Sequence, residues 1–182
     1  MAELMRWQTT TRIALRLVTE ICQLRVRSSG RSQLAQINAL RDKRMDQVSE
    51  KPNALYLDDL HVGQRFTSDS YHMDENRIKA FAAEFDPQPF HLDEAVAQTS
   101  VFNGLSASGW HTAAVAMRLL VTGGLPLANG IIGLGGELAW PRPTRPGDTL
   151  RVESEIQEIL PSRSKPNQGV VKVRSRDRKS VV

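Results

Sequence analysis

The most informative stretch of this sequence is Asp86-Pro87-Gln88-Pro89-Phe90-His91. Each proline fixes its own φ and disfavours the helical conformation in the residue before it, so Asp86 and Gln88 are predicted to be extended. The stretch therefore ends a helix and holds a carboxylate and an imidazole on a stiff backbone. Such a pair can share one water molecule and move its protons, which favours addition or removal of water. The alternative is structural, because Asp-Pro is also common at helix ends and turns.

The segment before this stretch has the pattern of an amphipathic helix over Glu75–Phe85. Asp74 is a suitable N-cap, and Pro87 stops the helix. Because the C-terminal end of a helix carries partial negative charge, we expect the helix dipole to raise the pKa of Asp86. A base that must later release its proton benefits from a shift in that direction.

A second informative segment is Leu105–Val121, which is predicted to be a helix. No Lys, Arg, Asp or Glu occurs between Ala95 and Met117, and small side chains are frequent there. A helix without charge on any face is typically buried, and small residues allow close packing against a sheet.

Strand patterns surround these helices, and a short helix over Asp93–Gln98 follows His91. The order of elements predicts an α+β fold with one long helix against an antiparallel sheet. The strand candidates are Arg65–Tyr71, Gly130–Trp140, Thr149–Ile159 and Gly169–Arg174, whereas Arg174–Ser180 has the character of a turn.

Composition excludes several classes of protein. The chain has 182 residues, enough for one domain and an appendage. Aromatic residues make up only 5%, which disfavours a stacking platform for single-stranded nucleic acid. The single cysteine, Cys22, cannot form a disulfide or a Cys-based zinc site within the chain, and the histidines lack metal-binding spacing. We therefore expect no metal and no cofactor, and no segment qualifies as transmembrane.

The positive charge is concentrated in the N-terminal segment. Residues 1–44 hold nine basic and three acidic residues, a net charge of +6, so the rest of the chain carries −2 of the overall +4. The globular part is thus slightly acidic, and the charge does not favour nucleic-acid binding by the domain.

Residues 1–50 are predicted to be a basic extension, and the folded domain to occupy residues 55–182. Three explanations compete for the extension: a mitochondrial-type transit segment, a surface amphipathic helix, or an upstream extension without function. Helical spacing of Ile13, Leu17, Ile21 and Leu24 fits the second. We favour the last two and a cytoplasmic location; a transit segment over residues 1–44 would instead imply the mitochondrial matrix.

Three motifs resemble those of the MaoC-like dehydratases, which include the (R)-specific enoyl-CoA hydratases of the hot-dog superfamily. The family's hydratase motif reads Asp-x-Asn-Pro-aliphatic-His, and residues 86–91 match it except at Gln88 and Phe90. A glycine opens the family's central helix, as Gly109 does here. The turn over residues 142–148 resembles the family's turn that ends in Gly-Asp. The resemblance spans residues 55–182.

The resemblance implies a hot-dog fold, in which an antiparallel sheet wraps a long central helix. It also implies that the last of five strands lies inside the sheet, between the third and fourth. The chain ends where that strand is expected to begin, so we expect a truncated last strand, an incomplete domain and poor solubility.

The resemblance further implies a hydratase or dehydratase of 2-enoyl or 3-hydroxyacyl-CoA thioesters in fatty acid metabolism. Asp86 and His91 would activate the water, and the backbone N–H of Gly109 would bind the thioester carbonyl. The structural alternative for Gly109 is close packing. An acyl-CoA substrate and a homodimer are implied, with neither metal nor cofactor. Ser108 stands where the family often has His.

Two alternatives remain open: an acyl-CoA thioesterase, and a catalytically impaired acyl-CoA-binding scaffold. Arg142 and Arg145 could contact coenzyme A phosphates, although turn arginines usually face solvent. Trp110 and His111 are predicted to be structural.

Overall fold

The computed structural model of the protein describes residues 17–25, 54–165 and 167–180. The helices and strands in these ranges are β1 (Leu17–Arg25), β2 (Arg65–His72), α1 (Glu75–Phe85), α2 (Pro89–Leu92), α3 (Glu94–Gln98), α4 (Gly109–Leu119), β3 (Gly133–Glu137), β4 (Thr149–Pro161) and β5 (Gln168–Ser180). A short 3-10 turn at Leu57–Asp59 precedes β2, and a π-helical turn at Leu120–Gly124 continues α4.

The strands form one antiparallel sheet in the order β2-β4-β5-β1-β3. The β4–β5 hairpin is its longest pairing and runs from Thr149 opposite Ser180 to Pro161 opposite Gly169. Alternate residues of β4 are buried, as expected for a strand with one face on the core. The architecture is the α+β arrangement that the sequence predicts.

The helix α4 packs one face against this sheet. Its buried residues recur at helical spacing and join a core that includes Met73, Ile78 and Ile156. The predicted burial of the whole helix is wrong, because Trp110 is 59% exposed and Met117 is 38% exposed. The absence of charge between Ala95 and Met117 permits burial but does not require it. The second face of α4 is open to solvent and carries Arg118 in the last turn.

The strand β5 extends further than predicted. Residues 174–180, expected to form a turn, continue β5 in register with β4. Ser175 and Asp177 are buried on the face that Val171 and Val173 share, and Ser175 shares a hydrogen bond of 2.9 Å with Ser154 of β4. Because polar residues occupy the inner positions, the apolar alternation that marks a strand is missing from this part of the sequence.

The strand β1 contradicts the helical interpretation of this segment. Leu17–Arg25 lies between β5 and β3, with Thr19 opposite both Val173 and Gly136. β-branched residues favour strands, and the edge of β5 offers unpaired backbone groups. The sheet therefore does not lack an inner strand: β4 and β5 pair directly, and β1 fills the position beyond β5. The rest of the extension, residues 1–16 and 26–50, lies outside the described residues.

None of the helices in the described ranges combines the length and apolar character needed to cross a membrane.

Candidate active site

Asp86 lies where α1 ends. Asp74 caps the start of this helix by accepting a hydrogen bond from the N–H of Arg77 at 3.0 Å, as predicted. Asp86 is the C-cap, with φ −153° and ψ 67°, and its N–H donates to the carbonyl of Ala82. Pro87 prevents the helix from continuing. The carboxylate is thereby fixed to the end of a packed helix.

His91 lies in the short helix α2, whose first residue is Pro89 and whose N-cap is Gln88. The imidazole is buried, and its Nδ1 lies 2.7 Å from the backbone carbonyl of Ser106. Since a carbonyl oxygen can only accept, Nδ1 carries the hydrogen. In the neutral ring, Nε2 is then an acceptor, and it lies 3.5 Å from Asp86 Oδ2.

Both oxygens of Asp86 accept hydrogen bonds from side chains. Gln88 Nε2 donates to Oδ1 at 2.7 Å, and Ser108 Oγ donates to Oδ2 at 2.6 Å. The hydrogen bond from Ser108 is the largest influence on the pKa of Asp86 and lowers it. Burial raises the pKa, whereas Gln88 and the nearby His91 lower it. The net direction is downward.

The prediction that the helix dipole raises the pKa of Asp86 is therefore wrong. The two direct donors to the ionised carboxylate and the nearby His91 lower the pKa more than burial raises it. The lowered pKa keeps Asp86 ionised, so it can accept a proton from water. It is, however, a weaker base than an aspartate with an ordinary pKa.

Gly109 is the first residue of α4 and lies next to Trp140. The indole Nε1 donates to the carbonyl of Gly109 at 2.8 Å, and a Cβ at this position would lie 2.9 Å from Trp140 Cε2. Close packing thus accounts for a glycine here. The first N–H groups of a helix have no acceptor within it and carry its positive end, which makes them suitable donors to an oxyanion.

Arg145 supports the loop that leads to Ser106. Its guanidinium donates to the backbone carbonyls of Leu105, at 3.1 Å, and Phe102. Glu94 Oε2 accepts from the N–H of Leu105 at 3.0 Å. Arg145 therefore holds the backbone beside Ser106, whose carbonyl is the partner of His91, and does not face only solvent. Arg142 is exposed.

Sequence reasoning missed the contacts of Gln88, Ser106, Ser108 and Arg145. Ser108 carried a local signal, because a serine before a glycine-led helix is a typical N-cap. Its contact with Asp86, 22 residues away in sequence, carried none. In the described ranges, no group of three or more His, Cys, Asp or Glu side chains could hold a metal ion.

His111 is a buried histidine beside the site, stacked on Phe81 with ring centroids 4.7 Å apart. Burial lowers its pKa from the ordinary value of 6.5. As the pH falls through about 6.5, the unfolded chain takes up a proton at this residue that the folded protein resists. We therefore expect acidification to destabilise the protein, and His111→Leu to weaken this effect, in melting temperatures compared at about pH 7.5 and 5.5.

The matched control is His61→Leu, because His61 is exposed. This variant is expected to keep the acid sensitivity of the parent. If acidification lowers the melting temperature equally in the parent and in His111→Leu, His111 contributes nothing to the acid sensitivity.

Known proteins resemble this chain in sequence and structure. The family model described as "MaoC like domain" matches residues 59–178. The MaoC-like dehydratase from Rhodospirillum rubrum is 58% identical with a TM-score of 0.69, covering 70% of this chain and 87% of that one. The unliganded R-hydratase PhaJ1 from Pseudomonas aeruginosa is 28% identical with a TM-score of 0.50, covering 69% and 90%. The uncharacterized protein YdeM of Bacillus subtilis is 34% identical over 109 residues, 59% of this chain and 77% of that protein.

These similarities confirm the predicted hot-dog fold, with an antiparallel sheet packed against a helix. Similarity to a MaoC-like dehydratase and an R-hydratase also supports hydratase or dehydratase activity at the level of the family. Because the family model matches more than half of its residues, the chain belongs to the MaoC-like domain family.

Proposed function

We propose that this protein is a hydro-lyase that adds water to 2-enoyl-CoA thioesters or removes it from 3-hydroxyacyl-CoA thioesters. Family membership and 58% identity to a MaoC-like dehydratase support the reaction class. The observation that carries the proposal is the approach of His91 Nε2 to Asp86 Oδ2, at 3.5 Å.

These two atoms can orient one water molecule. Asp86 Oδ2 accepts hydrogen bonds. Nδ1 of His91 donates to the carbonyl of Ser106, so in the tautomer with its hydrogen on Nδ1 the other nitrogen, Nε2, also accepts. A water molecule that donates one hydrogen to each acceptor keeps a lone pair free for attack. A carboxylate and an imidazole placed in this way suit general base catalysis.

Hydration then proceeds with balanced proton transfers. The water oxygen forms a bond to C3 of the enoyl group while Asp86 accepts a water proton. The electrons of the double bond move toward C2 and the thioester oxygen. C2 then takes a proton, which Asp86 gives up with the help of His91, so that Asp86 is ionised again. Dehydration follows the same steps in reverse.

The developing charge on the thioester oxygen requires a donor. In this proposal, the N–H of Gly109 at the start of α4 supplies it, aided by the positive end of the helix. The position of Gly109, next to Ser108 and therefore near the Asp86 carboxylate, supports this role.

The proposal also includes a homodimer and a cytoplasmic location. β3 lies at an edge of the sheet with all five residues exposed, and Leu134 is 56% exposed. A second copy could cover this surface. The pairing of Leu17–Arg25 with β5 weighs against a transit segment that is removed, because removal would take β1 out of the sheet.

Incubation with crotonyl-CoA tests the proposal. We expect the absorbance of the conjugated thioester to fall without release of free thiol, since hydration keeps the thioester bond. Thiol release that matches the loss of absorbance would instead indicate a thioesterase. Unchanged absorbance with enoyl-CoAs of several lengths would contradict the proposal.

A further inference from the structure

Ser108 connects the start of α4 to the carboxylate of Asp86. It is fully buried; its Oγ donates to Asp86 Oδ2 at 2.6 Å and accepts from the N–H of Trp110 at 3.2 Å. A backbone N–H can only donate and an ionised carboxylate can only accept, so the direction of both hydrogen bonds is fixed. The hydroxyl hydrogen of Ser108 therefore points at Oδ2.

The hydrogen bond from Ser108 fixes the orientation of Asp86 Oδ2 relative to His91. The same oxygen faces His91 Nε2 at 3.5 Å. Ser108 takes one hydrogen-bonding position on Oδ2, while Gln88 holds Oδ1 at 2.7 Å. With one donor on each oxygen, the plane of the carboxylate is fixed and the remaining positions on Oδ2 face the space shared with His91.

The two donors differ in their surroundings. Ser108 is completely buried, whereas Gln88 is exposed. A hydrogen bond to a charged group is stronger where water is excluded, so Ser108 is expected to have the larger effect.

We propose that Ser108 is a positioning residue, whose hydroxyl orients the Asp86 carboxylate toward the water that Asp86 shares with His91. This role rests on the proposed hydration reaction and acts only through Asp86. Among the described residues, His91 on α2 is the titratable group that faces Asp86, while Ser108 and Gln88 are neutral donors. The lowered pKa of Asp86, with Ser108 as its main cause, supports the proposal.

The variants Ser108→Ala and Ser108→Gly separate this role from helix capping. Glycine is nearly as good an N-cap as serine, whereas alanine is poor, and neither carries a hydroxyl. We expect both variants to lower kcat by about tenfold or more while KM changes little. Both should also move the acid limb of kcat/KM to higher pH, because loss of the donor raises the pKa of Asp86.

Three further variants make the test specific. Ser108→Thr keeps the hydroxyl and is expected to restore the parent pH profile. Ser154→Ala, a buried serine of β4 outside the site, should keep it unchanged. Gln88→Ala should shift it less than Ser108→Gly. If Ser108→Gly keeps the parent pH profile while Ser108→Ala changes it, Ser108 only caps α4 and the proposal is overturned. A larger shift of the pH profile in Gln88→Ala than in Ser108→Gly would also overturn it.

A second measurement does not depend on activity. Carboxyl ¹³C NMR, with the Asp86 signal assigned by Asp86→Asn, follows the titration of Asp86 directly. If Asp86 titrates at higher pH in Ser108→Gly than in the parent, Ser108 is coupled to Asp86. This result stands even if crotonyl-CoA is not hydrated, because absence of hydration would contradict only the proposed function. Identical titration in the two proteins overturns the proposal.

Discussion

Replacement of Asp86 by Asn is expected to lower kcat for crotonyl-CoA hydration by about 10²–10⁴-fold. Asparagine keeps the shape of the side chain and can accept the hydrogen bond from Ser108 Oγ, which lies 2.6 Å from Oδ2 in the parent. It cannot take a proton from water. KM should therefore change far less than kcat, because the substrate still binds while the proton transfer is lost.

His91→Ala is expected to reduce kcat over a similar range, since the second acceptor for the water is removed. It also leaves the buried carbonyl of Ser106 without its imidazole partner, which should cost about 1–3 kcal/mol of stability. Thermal melting therefore accompanies the kinetics. The matched control for Asp86 is Asp69→Asn, the same chemical change at an exposed residue of β2, which should retain parent activity. Hydration at the parent rate in both Asp86→Asn and His91→Ala would refute the assignment.

The part of this site predicted from sequence is the part built by local chemistry. The prolines at 87 and 89 impose their effects on neighbouring residues, so the end of α1 at Phe85 and the extended Gln88 follow from the sequence directly. The proximity of Asp86 to His91 follows from the same stiff segment. The family resemblance supplied the expected roles and the hot-dog fold.

The parts that sequence reasoning missed depend on contacts between distant residues. The sign of the Asp86 pKa shift is set by Ser108, which belongs to another helix. Spacing along the chain contains no information about which hydroxyl reaches which carboxylate. The helix dipole, by contrast, is a local effect that can be inferred from sequence.

The distinction between local patterns and contacts of distant residues also explains why the helical prediction for the N-terminal segment is wrong. Ile13, Leu17, Ile21 and Leu24 satisfy helical spacing, yet Leu17–Arg25 forms a strand. Pairing with β5, about 150 residues later in the chain, overrides a weak local pattern. The expectation of poor solubility rested on a missing inner strand, whereas β4 and β5 pair directly and β1 continues the sheet beyond β5.

Deletion of residues 1–50 is therefore expected to abolish cooperative folding. β1 is the strand that joins β5 to β3, with eight paired positions on β5 and four on β3. Each lost backbone hydrogen bond removes about 0.5–1.5 kcal/mol net, and several together approach the total stability of about 5–15 kcal/mol that is usual for a domain. The newly exposed edge of β5 would also favour aggregation. Soluble yield and thermal melting of the full chain and the deletion variant measure the effect.

Deletion of residues 1–14 is the matched control, because it shortens the same basic segment and keeps β1. We expect this variant to melt cooperatively at a temperature close to that of the full chain. Thr19→Pro provides a second comparison, since proline in an interior strand removes a ladder hydrogen bond and Thr19 is paired on both sides. It should lower the melting temperature without changing the length or charge of the segment. If the variant lacking residues 1–50 is soluble and melts like the full chain, β1 does not contribute to the stability of the sheet, and the extension is the dispensable appendage that its composition first indicated.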